Sequence, residues 1–275
     1  MLKLMLNVVL LVFLAIGQGN AQGKTTELLL EKTHTGFHSP TGIAVDREGN
    51  LYVSNWSGGS VTKVDTKGNH TIFADNMGSP AGLAFDNAGN LYVADYSQNV
   101  IYRIAKSKDD LLKNIIENKI IFARGLHTPT GISFNKNGEL LVANRSSNEI
   151  VKVNASGRVG LVAKGMRTPV GVVEDIDGNL YVTNYGGSII KVFADGTVRP
   201  FSNDFGRPGV GIDISPQNEI FATDNGDGCV RLLLSNGSTR IVIDGISGCV
   251  ALLIHGTTLY VGSWGTGSVY EYRIK

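Results

Sequence analysis

The stretch PTGIAVDREGNLYVSN, from Pro40 to Asn55, decides the fold because it returns three more times along the chain. The copies are PAGLAFDNAGNLYVAD (Pro80 to Asp95), PTGISFNKNGELLVAN (Pro129 to Asn144) and PVGVVEDIDGNLYVTN (Pro169 to Asn184), and two looser copies follow. A period of about 40 residues built from strand-forming residues and Gly-Asn turns is typical of a β-propeller. We therefore predict an all-β chain of repeated four-stranded antiparallel blades.

Each repeat reads as four short strands, A to D, and the number of repeats gives the number of blades. In the first repeat these strands are GIAVD, LYVSN, SVTKVD and HTIFAD, separated by Gly-containing turns and loops. The residue in the middle of strand B marks one blade, and the six markers are Tyr52, Tyr92, Leu141, Tyr181, Phe221 and Tyr260. An insertion, Lys106 to Asn118, explains the one long interval between markers. We expect it to extend a C–D loop as a short helical turn.

The two ends of the chain predict how the ring closes. The sixth repeat stops at Lys275 after strand C, whereas ELLLEK (residues 27–32) precedes the first crossover as an unpartnered strand D. We expect this N-terminal strand to complete the last blade, which removes open sheet edges. Residues 22–275 then form a single six-bladed propeller.

The first residues have the pattern of a secretory signal peptide. Lys3 is followed by an apolar run, Leu4 to Ile16, and by small and polar residues ending at Ala21. We expect residues 1–21 to be removed and the mature chain to be secreted or periplasmic. The alternative is an uncleaved anchor, but the apolar run is short for a bilayer, which needs about 20 residues, so we expect no stable membrane anchor.

Charge and cysteine content exclude one class of partner and leave one question open. Loss of Lys3 with the leader leaves 24 basic and 24 acidic residues, so the mature chain has no overall electrostatic attraction for nucleic acid. Cys229 and Cys249 form either a disulfide or two separate buried thiols, and both remain possible in an oxidising compartment.

The repeated phrase P-x-G-I-x-x-D-x-x-G-N-L-Y-V-x-[ND] resembles the NHL repeat over nearly all of the chain after residue 30. NHL propellers are similar in fold to the six-bladed lactonases of the SMP-30/gluconolactonase type, which hold a divalent metal at the axis through oxygen ligands. In this chain the matching crossover residues are Thr41, Ala81, Thr130, Val170 and either Gly209 or Val210. None is a carboxylate or carboxamide, so we expect no metal cofactor at these positions. A divalent cation at the channel mouth is the alternative.

The order of the strands predicts that the D–A crossovers and the B–C loops share one face of the disc, called here the crossover face. Each B–C loop begins with a polar residue, and these form the polar ring: Asn55, Asp95, Asn144, Asn184, Asp224 and Ser263. Such a ring either binds an ion or ligand, or caps its own loops by accepting backbone N–H bonds; the repetition in every blade favours capping.

The residue after the polar ring differs from blade to blade, and these are called the mouth residues: Trp56, Tyr96, Arg145, Tyr185, Asn225 and Trp264. With Arg167 and Arg207 before two crossovers, they suggest an aromatic sector for stacking and a basic sector for an anion such as a carboxylate or phosphate. The predicted ligand-binding residues are Trp56, Tyr96, Asn144, Arg145, Arg167, Asn184, Tyr185, Arg207, Asp224 and Trp264. The alternative is ordinary packing at the rim with solvated charges.

A weaker candidate is a metal site. His38 and His127 occupy equivalent crossover positions, and with Asp224 they would give a three-ligand zinc site. Such use of histidine resembles the amidating-lyase branch of NHL proteins, but the equivalent residue in blade four is Arg167. We expect these histidines to be hydrogen-bonded to backbone instead.

These observations favour a secreted NHL-type propeller that binds a small molecule, a peptide or a protein through its crossover face. The alternative is a metal-dependent hydrolase or lactonase of the SMP-30/gluconolactonase type. The sequence contains no G-x-S-x-G elbow and no Gly-rich phosphate loop before a helix, so no catalytic residue is assigned.

Overall fold

A computed structural model of the protein describes residues 27–105 and 119–275. The predicted signal peptide and the predicted helical turn of the insertion lie outside these described residues. The described strands form six four-stranded antiparallel sheets, as predicted. Within the same ranges, no helix has the length and apolar character needed to cross a membrane.

The strands follow one another in the order that the repeats predict. Blade one contains β2 (Pro40–Val45), β3 (Leu51–Asn55), β4 (Ser60–Val64) and β5 (His70–Ala74). Blade two contains β6 (Pro80–Phe85), β7 (Leu91–Asp95), β8 (Val100–Ile104) and β9 (Lys119–Ala123). Blade three contains β10 (Pro129–Phe134), β11 (Leu140–Asn144), β12 (Glu149–Val153) and β13 (Val159–Lys164).

The second half of the chain repeats this arrangement. Blade four contains β14 (Pro169–Glu174), β15 (Leu180–Asn184), β16 (Ser188–Val192) and β17 (Val198–Ser202). Blade five contains β18 (Pro208–Ile214), β19 (Ile220–Asp224), β20 (Cys229–Leu233) and β21 (Thr239–Ile243). Blade six contains β22 (Cys249–His255), β23 (Thr258–Ser263), β24 (Ser268–Ile274) and β1 (Leu28–His34).

The N-terminal strand closes the ring. Strand β1 pairs antiparallel with β24, from Leu28 opposite Ile274 to His34 opposite Val269. Two side-chain contacts support the pairing: His34 Nε2 lies 2.6 Å from Glu271 Oε1, and Arg273 Nη2 lies 2.6 Å from Glu31 Oε1. The prediction that this segment completes the last blade is confirmed.

The tyrosines that mark strand B hold neighbouring blades together. The ring of Tyr52 makes edge-to-face contacts with Phe73 at 4.8 Å and with Phe85 of the next blade at 5.0 Å. Tyr92 repeats this contact with Phe134 of blade three at 5.2 Å. Such aromatic pairs contribute beyond the area they bury, so the residue that allowed the blades to be counted also packs one blade on the next.

Near the axis, the blades approach so closely that the Pro-x-Gly motif needs its glycine. A Cβ on Gly131 would lie 2.6 Å from the carbonyl oxygen of Val170 and 2.8 Å from Cα of Gly171. Side-chain hydroxyls also join blades here, since Ser54 Oγ donates to the carbonyl of Ala81 at 2.6 Å. The inner strands therefore form a tightly packed wall around a narrow channel.

The two cysteines are free thiols in this structure, and both are buried. Of the two arrangements left open by the sequence, the structure has the separate thiols. Burial raises the pKa of Cys229 to about 11 and raises the pKa of Cys249 further. Both thiols are thus protonated at neutral pH and poorly nucleophilic.

Candidate binding site at the crossover face

The B–C loops and the D–A crossovers lie on the same face, as predicted. The first residue of each loop after strand B donates its backbone N–H to the crossover of its own blade: Trp56 to the Ser39 carbonyl at 3.2 Å and Tyr185 to the Thr168 carbonyl at 3.0 Å. Every blade thus presents one crossover and one loop as a single hydrogen-bonded unit at the channel mouth.

The polar ring lies beneath this surface and holds the crossovers in place. Asn144 Oδ1 accepts the backbone N–H of His127 at 2.6 Å, and Asn184 Oδ1 accepts that of Arg167 at 3.1 Å. No member of the ring is more than 2% exposed. The sequence left open whether the polar ring binds a ligand or caps loops, and the geometry corresponds to capping. The capped segment is chiefly the crossover that precedes each blade, rather than the B–C loop alone.

The ring residues differ in the side chains that lie beside them. Where the ring residue is asparagine, its amide donates to a nearby hydroxyl, as from Asn55 Nδ2 to Thr62 Oγ1 at 2.8 Å. At Asp224 the neighbour is Arg231 instead, whose Nε donates to Oδ2 at 3.0 Å. Burial alone would raise the pKa of Asp224, but hydrogen bonds from the backbone of Arg207 and Gly206 and from Arg231 outweigh it and lower the pKa.

Above the polar ring, all six mouth residues converge on one cavity of about 230 Å³, called here the crossover-face cavity. Its remaining lining comes from the first residues of the inner strands: Thr41, Thr130, Val170, Pro208, Gly209, Val210 and Val250. Below it, the channel narrows to a space of about 40 Å³ lined largely by glycines and aliphatic residues of the same strands. The cavity is therefore a cup at the mouth of the propeller that narrows toward the channel.

One half of the wall is aromatic. The ring of Trp56 lies 4.7 Å from that of Tyr96 and 6.1 Å from that of Trp264, measured between centroids. Trp264 Nε1 donates to Thr41 Oγ1 at 3.1 Å, which fixes the indole, although the side chain remains 41% exposed. The structure thus brings together the aromatic residues of blades six, one and two that the sequence grouped.

The other half of the wall alternates guanidinium groups with tyrosine rings. Arg145 Nη1 donates to Tyr96 Oη at 2.7 Å, and the Arg145 guanidinium carbon lies 5.1 Å from the ring centroid of Tyr185. The guanidinium carbon of Arg207 also lies over the Tyr185 ring, 5.4 Å from its centroid. Among the described residues, no carboxylate lies within ion-pair distance of Arg145 or Arg207. Their positive charges are therefore uncompensated there.

The predicted site residues occupy two levels. Trp56, Tyr96, Arg145, Tyr185 and Trp264 line the cavity, and Arg207 contacts its wall. The other predicted residues do not line it: Asn144, Asn184 and Asp224 are buried below in the polar ring, and Arg167 is exposed on a crossover.

The weak metal candidates are not assembled into a site. The side chains of His38 and His127 are exposed, and their backbone N–H groups donate to Asn55 and Asn144. Within residues 27–105 and 119–275, no three His, Cys, Asp or Glu side chains form a group able to hold a metal. The lining residues of the cavity include no carboxylate, so the donor set that a hard cation prefers does not fit here.

Sequence reasoning missed the floor of the cavity. Val170, Val210 and Val250 supply its apolar base; each follows a crossover, where an aliphatic residue gives no sequence signal of a binding site. Thr41 and Thr130 also line it, but their hydroxyls already donate to the carbonyls of Ser39 and Ala143. The cavity thus offers stacking surfaces, an apolar floor and one guanidinium.

Comparisons with known proteins identify the fold and nothing finer. No family model matches the chain, and no curated protein matches it either. The NHL assignment therefore stays a prediction from the repeated motif.

Solved structures share the architecture at low sequence identity. A gluconolactonase from Xanthomonas campestris is 15% identical with a TM-score of 0.76, covering 92% of this chain and 91% of its own. A catalytically inactive virginiamycin B lyase from Staphylococcus aureus, solved with quinupristin, is 15% identical with a TM-score of 0.67, covering 86% and 80%. A chain of the nidogen/laminin complex is 21% identical with a TM-score of 0.68, covering 81% and 88%. The chain is a six-bladed β-propeller with gluconolactonase-like structural neighbours.

Proposed function

We propose that this protein is a binding module whose ligand enters the crossover-face cavity. The observation that carries the proposal is the convergence of all six mouth residues on one cavity. These residues differ between blades whereas the ring beneath them is polar in every blade. Side chains that serve only the repeated architecture have no reason to differ in this way, so we attribute the variation to a ligand.

The size of the cavity supports a small ligand or a single side chain of a larger one. Its volume of about 230 Å³ lies just below the range of roughly 300–1,000 Å³ typical of small-molecule sites. Among the structural neighbours, the lyase was solved with quinupristin, and another neighbour is a chain of the nidogen/laminin complex, so propellers of this fold occur with both a small molecule and a protein partner. We propose a small molecule, or the tip of a peptide or protein, as the occupant.

The second candidate is a metal-dependent hydrolase or lactonase, favoured by the likeness to a gluconolactonase. A divalent cation would then act at the channel mouth. The lining residues do not supply the ligands for it, as described above, and we derive no catalytic step. Thermal unfolding with calcium, zinc or EDTA discriminates the two candidates, because a tightly bound ion in excess raises stability by RT ln(1 + [L]/Kd).

We further propose that the protein acts outside the cytoplasm, as a secreted or periplasmic module. The support is the apolar segment Leu4 to Ile16 followed by small residues to Ala21. N-terminal sequencing of the exported protein tests this. A mature chain beginning at Gln22 is expected, and retention of Met1 on a membrane-bound form would contradict it.

The binding proposal is testable through the two tryptophans, because the chain contains only Trp56 and Trp264 and both line the cavity. A screen of small acids, sugars and peptides should yield ligands that change tryptophan fluorescence. Trp56→Ala should abolish their binding and shift the melting temperature only slightly. Phe193→Ala is the matched control, because Phe193 is a partly exposed aromatic residue with Lys191 and Arg199 nearby, at the opposite face. Binding that survives Trp56→Ala would refute the proposal.

A further inference from the structure

The geometry of the cavity points to a ligand class: a single flat ring that bears one carboxylate. This inference rests on the proposed binding function and names the ligand of the same site. It follows from three properties of the crossover-face cavity: the guanidinium of Arg145 in its lining, its volume, and the small number of hydrogen-bond acceptors among its lining side chains.

The guanidinium of Arg145 is held in place and lacks a counter-charge. Its Nη1 is committed to Tyr96 Oη at 2.7 Å, and its carbon lies 5.7 Å and 5.1 Å from the ring centroids of Tyr96 and Tyr185. Its Nε is buried within the protein, so the groups of Arg145 that a ligand in the cavity can reach are the terminal Nη atoms. A carboxylate matches the planar donor fork of arginine. A bound carboxylate would supply an acceptor for these N–H groups together with the missing counter-charge.

Arg145 is distinguished from the other arginines with a buried Nε by its position in the lining of the cavity. Arg103 and Arg240 also have a buried Nε without a partner, but neither lines the cavity. Arg145 is the single charged residue among the described residues of the lining. Arg207 also contacts the wall at Tyr185, but it is exposed to solvent and is not part of the lining. The one partly desolvated positive charge of the lining is matched by a monoanion, whereas the second charge of a phosphate monoester would have only the solvated Arg207 nearby.

The volume limits the rest of the ligand to about one ring. An apolar cavity of about 150 Å³ is known to hold benzene, and this cavity measures about 230 Å³. The difference accommodates a short substituent on the ring. Trp56, Tyr96, Tyr185 and Trp264 supply aromatic surface, and Val170 and Val250 supply aliphatic surface, so a flat ring is the body that this lining packs best.

The lining also disfavours a sugar ring. The hydroxyls of Thr41 and Thr130 already donate to backbone carbonyls, and Trp264 Nε1 donates to Thr41. The other polar side chains of the lining are those of Trp56, Tyr96, Arg145, Tyr185 and Asn225. Most of their polar groups are N–H donors, so several donating hydroxyls of a sugar acid would lack a side-chain acceptor, and each unpaired group costs its desolvation. An aromatic or heteroaromatic ring carries no such hydroxyls.

The experiment titrates four probes into ¹⁵N-labelled full-length mature protein: benzoate, its neutral isostere benzamide, phenyl phosphate and glucuronate. Each tryptophan gives one indole N–H signal, so Trp56 and Trp264 report occupancy of the cavity directly. We expect benzoate to shift both signals and to bind about ten- to a hundredfold more tightly than benzamide, the factor expected for a hydrogen bond to a charged group. Phenyl phosphate and glucuronate should bind more weakly than benzoate.

Two variants assign the effect to one side chain. Arg145→Gln should weaken benzoate binding to the level of benzamide and leave benzamide binding unchanged. Arg103→Gln is the matched control, since Arg103 also has an unpaired Nε and lies 5.9 Å from the ring of Phe122, outside the cavity. It should leave benzoate binding unchanged.

The outcomes separate this inference from the proposed function. Equal affinity for benzoate and benzamide overturns the carboxylate while leaving the cavity as a binding site. Tighter binding of phenyl phosphate or glucuronate overturns the ligand class in the same way. If none of the four probes shifts either indole signal, the inference is overturned, and the proposed function is judged independently by the wider screen with Trp56→Ala.

Discussion

Replacing Asp224 by asparagine should destabilise the propeller strongly without touching the cavity. The carboxylate is fully buried, and it accepts the backbone N–H groups of Gly206 at 2.9 Å and Arg207 at 2.9 Å together with Arg231 Nε at 3.0 Å. Asparagine keeps one of the two side-chain oxygens and replaces the other by an NH₂ group. That NH₂ group would then face N–H donors, which it cannot accept. Arg231 would keep its ion pair with Asp227, 2.5 Å away, and its hydrogen bond to Thr239 Oγ1 at 3.3 Å.

The magnitude follows from those contacts. The two donors to Oδ2, the backbone N–H of Gly206 and Arg231 Nε, lose their acceptor when the amide occupies that side. A buried donor left unpaired costs roughly 1–3 kcal/mol, and breaking one side of a buried ion pair costs roughly 3–5 kcal/mol. Because Arg231 retains Asp227, we expect a loss of about 3–4 kcal/mol in the free energy of unfolding.

Urea unfolding at pH 7 measures this loss, with Asn225→Ala as the matched control. Asn225 is the next residue along the chain and lines the cavity, but it is partly exposed, so its removal should change stability by less than about 0.5 kcal/mol. The folded protein lowers the pKa of Asp224 below its ordinary value of 3.8. The contribution of Asp224 to the free energy of unfolding is therefore complete above pH 3.8 and is lost as the pH falls through the lower pKa of the folded state. The difference in stability between wild type and Asp224→Asn should therefore decrease in acid.

A loss below about 1 kcal/mol for Asp224→Asn would refute the reasoning, because it would mean that the carboxylate does not hold the crossover. Loss of ligand binding with unchanged stability would return Asp224 to the role of a ligand-binding residue, as the sequence predicted.

Three further perturbations test other parts of the structure. Gly131→Ala should destabilise by about 1–3 kcal/mol in urea unfolding, because its Cβ would lie 2.6 Å from the Val170 carbonyl; a near-neutral effect would contradict the tight inner wall. Burial raises the pKa of Asp213 from 3.8 to about 6, so the contribution of this residue to the stability of wild type falls as the pH rises through that window, by at most about 3 kcal/mol. Asp213→Asn should abolish that slope, and an unchanged pH profile would contradict it. Deleting residues 22–32 should expose the edge of β24 and give an aggregating, poorly folded product in gel filtration; a cooperative monomer would contradict ring closure.

The fold was predictable because each repeat carries its own local instructions. Asp46 shows this: its Oδ1 accepts the backbone N–H of Glu48 at 3.0 Å and of Asn50 at 2.9 Å, and Gly49 takes a φ of 82°. The Asp-x-x-Gly-Asn phrase therefore encodes the A–B turn by itself. Closure by β1 was predictable for a similar reason, since blade six lacks a fourth strand of its own.

The site was predictable only in part, because the sequence of a repeat does not show whether a polar side chain at a strand end points into the cavity or toward the backbone of a crossover. The polar residue at the end of strand B fits either a ligand site or a cap, and only the structure shows the Asn184 side chain turned down to the Arg167 backbone. The mouth residues were identified because they vary. Val210 and Val250 were missed because an aliphatic residue after a crossover looks the same whether it packs in a core or lines a cavity.

The measurement that tests the central claim most directly is ligand affinity after the cavity has been filled. Val210 lines both the cavity and the channel below it, so Val210→Phe places a ring on the cavity floor while leaving the mouth residues in place. For any ligand found in the screen, calorimetric titration should show one site per chain in wild type and at least about a hundredfold weaker binding in Val210→Phe at an unchanged melting temperature. Undiminished binding by a folded Val210→Phe protein would place the ligand elsewhere and contradict the proposed site.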